Sequence, residues 1–217
     1  MMKDIPIFPT EYGIASLCLK EIPYSGSAYI QIQDAPVETV DRLLQECVGF
    51  CRACGAERFY YCGGSETGEP AFVLLKMTGC ARPEQEKLEH LFPVTEQTVA
   101  QWRKIYNERM TAVPHSRTLS FGDEQEILRS GGAYFVHRAG TLLGIGWLED
   151  THLLAIASVE PGAGERVAHT LMSLVEGRQM TLEVSSQNQK AQALYQRLGF
   201  LTTGISKKWY EWKEDDK

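Results

Sequence analysis

The sequence has no long hydrophobic run. Its longest, "AFVLL" and "LLAIA", fall far short of the roughly 20 residues that a membrane-crossing helix needs. The first residues, "MMKDIPIFPTEYG", hold two prolines and no apolar core of the kind a secretory leader requires. A cytoplasmic protein with no membrane association is expected. Positive charge is scarce as well: 22 Lys and Arg stand against 28 Asp and Glu, and the net charge is −6. The basic residues are scattered, so the counterion-releasing patch of a general nucleic-acid binder is missing. An acidic surface instead tolerates cationic partners such as amines.

A metal-binding set is also lacking. Six cysteines lie at 18, 47, 51, 54, 62 and 80. "CVGFCRAC" contains the pair Cys51 and Cys54, but no second C-x-x-C or H-x-H follows to complete a tetrahedral site, and no metal is expected. Cys47, Cys51 and Cys54 recur at helical spacing beside Leu43, Leu44 and Phe50, which predicts a buried helix face.

What is present suffices for a full core: 217 residues, 43% of them hydrophobic, enough for one or two domains. "IASLCLKEI" and "SAYIQIQDA" alternate like strands, with "PYSG" between them as a hairpin signal. A helix is expected over about 37–54, ended by Gly55, then strands "ERFYYC" and "AFVLLKM". The charged segment "CARPEQEKLEHLFP" reads as a linker or crossing helix. Beyond it, Thr95 is a candidate N-cap for a helix that places Val99, Trp102, Ile105 and Tyr106 on one side. "FGDEQEILRSGG" follows as a short helix, and "AYFVHRAGTLLGIGWLED" reads as a hairpin with Ala139-Gly140 at its tip. The remainder is strand "HLLAIASV", turn "EPGAG", a helix over about 165–176, strand "MTLEV", helix "AQALYQRLG", and "FLTTGISKKWYEW" as a closing hairpin.

A weak internal repeat runs through this order. "AYIQIQDAP", a helix, Gly55 and "ERFYYC" match "LLAIASVEP", a helix, Gly177 and "RQMTLEV", with Pro36 and Pro161 in equivalent places. The first copy has no counterpart of Asn188, Tyr195 or the Gly-rich turn, so it is expected to be structural.

The run from Val184 to Phe200, "VSSQNQKAQALYQRLGF", resembles a conserved segment of the GNAT superfamily of acyl-CoA-dependent N-acyltransferases, in which N-x-x-A-x-x-L-Y-x-x-x-G-F follows a strand. The match falls on Asn188, Ala191, Leu194, Tyr195, Gly199 and Phe200. The resemblance extends over about residues 90–215 and implies an α/β (α+β) GNAT fold: a mixed central sheet with splayed parallel strands, preceded by a degenerate half-copy. Residues 1–85 are expected to form the partial copy and 86–217 the acetyltransferase domain.

The resemblance also implies acetyl-CoA as acyl donor and transfer to a primary amine of a small molecule or peptide, by a monomer or homodimer. Backbone groups of Ala157 and Val159 are expected to pair with the pantetheine arm. The amides of Gly164, Glu165, Arg166, Val167 and Ala168 are expected to face the pyrophosphate, with Arg166 adding charge. "VEPGAGERVAHTLM" departs from the superfamily's Q/R-x-x-G-x-G/A turn: Arg166 stands at the first glycine's place and Ala163 at the Gln or Arg. Asn188 either caps a helix, contacts the cofactor, or does both. Tyr195 is assigned as the acid that protonates the leaving thiolate, Glu149 is the favoured base among Glu149, Asp150 and His152, and the Val159 N–H is a candidate oxyanion donor. Trp147, Tyr134, Trp209 and Tyr210 are candidates to line the acceptor slot. The competing reading is a non-catalytic acyl-CoA-binding or partner-binding module.

Overall fold

The computed structural model describes residues 6–64, 68–80, 89–175 and 177–213. The expected linker or crossing helix, and the 85/86 boundary with it, falls mainly on 81–88, outside the described residues. The chain divides into two compact units, Met1–Val73 with Lys207–Lys217, and Leu74–Ser206. Among the described residues no helix is long and apolar enough to cross a membrane.

The first unit contains strands β1 (Ile7–Thr10) and β2 (Gly13–Cys18), a one-turn helix α1 (Ile22–Ser25), strand β3 (Ser27–Asp34), helix α2 (Val40–Ala53) and strand β4 (Arg58–Cys62). The "PYSG" segment is thus not a tight hairpin turn; it forms the helical turn α1, with Gly26 closing it in a left-handed conformation. Strands β3 and β4 are parallel because α2 carries the chain back between them. Helix α2 buries Leu43, Leu44, Cys47, Val48 and Cys51 in a cluster with Leu17, Ile30 and Phe59. Burial pushes the Cys47 thiol up to about 11 and the Cys51 thiol up to about 12, as expected of core thiols. Cys54 departs from the expected face: α2 ends at Ala53, and Cys54 is exposed.

The second unit is built on β5 (Phe72–Cys80), of which Phe72 and Val73 belong to the first unit, β6 (His90–Pro93), helices α3 (Val99–Met110) and α4 (Glu124–Ser130), strands β7 (Ala133–Arg138), β8 (Thr141–Glu149) and β9 (His152–Ser158), helix α5 (Gly164–Met172), β10 (Gln179–Ser185), helix α6 (Gln189–Arg197) and β11 (Leu201–Glu211). β11 is one continuous strand rather than the expected closing hairpin. Gly204 is accommodated within it, and from Lys207 onward the strand belongs to the first unit. There Tyr210 and Glu211 pair with Tyr61 and Tyr60 of β4.

The sheet of the second unit runs β5-β10-β9-β8-β7-β6. Among these neighbours β9 and β10 are parallel and the other pairs antiparallel. The β7–β8 hairpin turns at Ala139 and Gly140, both with positive φ (47° and 82°), as a two-residue primed turn requires. Alternation along β8 sorts the core. Ile145 and Trp147 pack with Trp102, Tyr106 and Ile127 of α3 and α4. Gly144 and Gly146 face α5, where an added Cβ would lie 2.9 Å from Val167 Cγ2 and 2.1 Å from Leu171 Cδ1. Glycine there lets α5 lie close against the sheet. Helix α5 in turn buries Val167, Ala168 and Leu171 with Met180, Leu182, Tyr195 and Phe200.

Candidate functional site

β9 and β10 pair only near their beginnings, through His152 with Thr181 and Leu153 with Leu182. Beyond Leu182 strand β10 keeps its pairing with β5 as far as Ser185, while β9 stays with β8 as far as Ser158. The two strands therefore part, and a wedge opens toward their C-terminal ends. In the first unit the equivalent parallel pair remains closed: β3 and β4 pair from Ser27–Arg58 through Gln31–Cys62. With Pro36 aligned on Pro161, Gln31 falls on Ile156, so that pairing continues three residues past the equivalent of Leu153.

Which backbone groups face the wedge follows from the β8–β9 register. Val159 and Glu160 both donate their N–H to the Leu143 carbonyl, at 2.8 and 3.1 Å, forming a bulge at the end of β9. Opposite residues in an antiparallel ladder alternate between bonded and non-bonded pairs. Since Val159 bonds Leu143, Ala157 bonds Ile145. The expected pairing of Ala157 and Val159 with a cofactor is thereby corrected by one residue: Ile156 and Ser158 turn their backbone groups toward the wedge. The Val159 N–H, expected as an oxyanion donor, is already bonded, and its carbonyl accepts from Arg109 Nη2 at 3.3 Å. On the facing wall, Thr181 donates to the Thr151 carbonyl, so the same alternation aims Glu183 and Ser185 at the wedge. Gln192 Nε2 occupies the carbonyls of Ser185 and Ser186, at 3.0 and 2.9 Å.

Helix α6 is fixed at both ends by residues of one motif. Asn188 is its N-cap, with Oδ1 accepting from Ala191 N at 3.1 Å, which leaves the Nδ2 donors unused by the cap. At the other end Gly199 takes a left-handed φ of 86°. Gly199 donates to the Gln196 carbonyl and Phe200 to the Tyr195 carbonyl, at 3.0 and 2.9 Å, the two bonds of a Schellman cap. The hydrophobic contact that accompanies such a cap is the edge-on meeting of the Tyr195 and Phe200 rings, 6.0 Å apart. Tyr195 is thus held inside the core. Burial, with a smaller contribution from the Tyr106 phenol, pushes its pKa up to about 12. Leu194, the preceding motif residue, reaches the first turn of α5, 3.7 Å from where a Cβ on Gly164 would stand.

Helix α5 starts at Gly164 after Ala163 as N-cap, and no side chain caps it. The amides of Gly164, Glu165 and Arg166 have no intrahelical acceptor. The expected five-amide cradle is shorter by two: Val167 N already bonds the Ala163 carbonyl at 2.9 Å, and Ala168 lies in the helical repeat with its side chain in the core. Arg166 points elsewhere than expected, with Nη1 3.8 Å from Glu89 Oε1. Glu165 meets Arg197 at 3.4 Å.

Glu149 is placed at the wrong end for the base. It is exposed and opposite His152, where β9 begins and the wedge is shut, roughly 20 Å of strand from Ser158. Its neighbours are engaged there too: Asp150 with Arg178 at 2.6 Å, and His152 Nδ1 with Thr181 Oγ1 at 2.8 Å. Of the acceptor-slot candidates, Trp147 is in the α3 core and donates to Ser130 Oγ. Trp209 stacks on Phe72 in the first unit, and Tyr210 contacts Tyr61 there.

No protein-family model and no curated protein sequence matches the chain. Solved structures do. A conserved protein of unknown function from Staphylococcus epidermidis superposes with a TM-score of 0.59 at 11% identity, covering 98% of this chain and 95% of its own. A GCN5-related N-acetyltransferase from Sphaerobacter thermophilus gives 0.55 at 11%, covering 92% and 76%. A tandem GNAT protein from the clavulanic acid biosynthesis pathway gives 0.51 at 13%, covering 94% and 80%. With a parallel pair that splays after Leu182, a capped helix carrying Tyr195, and a first unit that repeats the β-α-β core in closed form, the chain has the GNAT fold.

Proposed function

We propose that the chain transfers an acetyl group from acetyl-CoA to a primary amine of a small molecule or peptide, by direct attack on the thioester. The observation that carries this reading is the wedge itself: β9 and β10 separate after Leu153 and Leu182, leaving backbone groups of Ile156 and Ser158 without a strand partner, and Ile156 packs against the core cluster that holds Tyr195. A chain of amides such as pantetheine fits that edge as a false strand. When bound, the cofactor supplies an activated acyl group.

The residues divide the remaining work. The amides of Gly164, Glu165 and Arg166 face the phosphate end, favoured by the helix dipole. Asn188 holds α6 in place and keeps its Nδ2 for a contact with the arm. Tyr195 holds its proton throughout the neutral range, because its pKa is pushed up to about 12. A free thiol titrates near ~8.5, so a phenol raised this far is a poor match for it in water. Desolvation disfavours a thiolate as well as a phenolate, and Tyr195 Oη is the group that would give its proton to the departing sulfur. Glu149 is too distant to take a proton from the amine, so water takes the two protons that the ammonium loses on becoming an amide, and one of them restores the proton that Tyr195 gives to the sulfur.

A second reading, a non-catalytic acyl-CoA-binding or partner-binding module, is favoured by one observation: both charged side chains of the first α5 turn are already paired, Glu165 with Arg197 and Arg166 with Glu89. A thiol-release assay with acetyl-CoA and a panel of amines separates the two readings. The transferase reading expects turnover that falls about 10²-fold or more in Tyr195→Phe. Cofactor binding with no turnover on any amine, or turnover unchanged in the variant, supports the module and removes Tyr195 as the acid.

A further inference from the structure

Beside the first turn of α5 lies a charge cluster that the reading above does not use. The Glu89 side chain is 3% exposed, yet it is an ionisable carboxylate. Arg138 grips it with two contacts, Nε to Oε2 at 2.8 Å and Nη2 to Oε1 at 2.6 Å, and Arg166 approaches Oε1 at 3.8 Å. Thr170 Oγ1 ties the group to the helix, accepting from the Glu89 N–H at 3.3 Å and donating to the Arg166 carbonyl at 2.8 Å. A carboxylate this deep needs its partners, and removing one would leave it uncompensated.

The two guanidinium groups are not buried with it. Arg138 is 51% and Arg166 38% exposed. Among the described residues, one carboxylate against two guanidinium groups leaves a positive charge over, and the positive end of α5 adds to it. Glu89 therefore acts as a floor that fixes both groups while their other N–H donors face solvent. The location is specific. Arg138 ends β7 opposite Thr141, at the same end of the sheet as Ser158, which lies opposite Gly144. Arg166 belongs to the first turn of α5, where a Cβ on Gly164 would stand 4.0 Å from Ser158 Oγ at the end of β9.

We propose that Arg138 and Arg166, held by Glu89, form a second anion site that recognises a phosphomonoester, namely the 3′-phosphate on the ribose of CoA. The inference rests on the transferase reading for the identity of the ligand. It assigns to Arg166 a phosphate different from the pyrophosphate, and to Arg138 a binding role beyond the amide cradle.

The test compares CoA with dephospho-CoA, which lacks only that phosphate, by calorimetric titration at low salt. CoA is expected to bind about tenfold tighter than dephospho-CoA, the scale of one or two charge-assisted hydrogen bonds. Arg138→Gln should bring CoA down to the dephospho-CoA level while leaving dephospho-CoA within about twofold of its wild-type affinity. Equal binding of the two ligands by the wild-type protein overturns the site without any variant being needed. A variant that weakens both ligands alike makes Arg138 a structural strut and also overturns it. Binding of neither ligand takes away the transferase reading, and this inference with it.

Discussion

Phe200 donates its backbone N–H to the carbonyl of Tyr195 at 2.9 Å and sets its ring edge-on to the Tyr195 ring at 6.0 Å. One helix cap thus fixes the residue proposed as the acid and packs it into the core. The Leu-Tyr-x-x-x-Gly-Phe spacing is the spacing of that cap: tyrosine three positions before the capping leucine, then the left-handed glycine, then the residue that folds back.

The alkaline stability of the protein should depend on Tyr195. Its folded pKa is raised from 10.0 to about 12, so the folded state keeps a proton that the unfolded chain gives up. The contribution is whole below pH ~10 and is lost as pH rises through ~12. Urea denaturation at pH 8 and pH 11 should show the wild-type protein losing about 1 kcal/mol more than Tyr195→Phe over that interval. Parallel losses in the two proteins would mean that Tyr195 ionises normally.

Asn188 should be separable into cap and contact. Asn188→Ala should cost ~1 kcal/mol of stability, and Asn188→Asp should restore it, since a carboxylate caps as well as an amide. The Asp variant lacks the Nδ2 donors, so weakened acetyl-CoA binding at full stability assigns them to the cofactor. Unchanged binding leaves Asn188 as a cap only.

Gly144 should not tolerate a side chain. A Cβ there would lie 2.6 Å from the Ala157 carbonyl oxygen as well as 2.9 Å from Val167, wedging β8 from the end of β9. Gly144→Ala is expected to lose ~1–3 kcal/mol, read as a drop in the denaturation midpoint, and a neutral outcome would show that β9 shifts freely.

Glu149→Gln should leave amine acetylation within about twofold of wild type, whereas removal of a working general base costs about 10²- to 10⁴-fold. A loss of that larger size would place the reacting amine near the start of β9, against the position given to it here.

Much of this architecture is legible in the residues. Hydrophobic periodicity places the helix face of Val99, Trp102, Ile105 and Tyr106, all buried, and Ala139-Gly140 marks its turn. Other features depend on partners that the sequence does not name. A period of two tells which side chains share a face of β9, but the direction of each N–H within the sheet depends on how Val159 and Glu160 share the Leu143 carbonyl. Ile156 and Ser158 were therefore hidden behind Ala157 and Val159. Glu149 sits close in sequence to the cofactor strand yet at its closed end, because an antiparallel turn brings it opposite the first residue of that strand. Arg166 stands where a phosphate ligand would, and its direction is decided by Glu89, which is far away in the chain.

The central claim is that the wedge between β9 and β10 receives the cofactor, and hydrogen exchange with and without acetyl-CoA tests it where it applies. Slower exchange is predicted across 154–160 and in the first turn of α5, with no change at the closed equivalent, β3. Exchange that is unaltered in β9 and α5 at saturating acetyl-CoA would contradict the account.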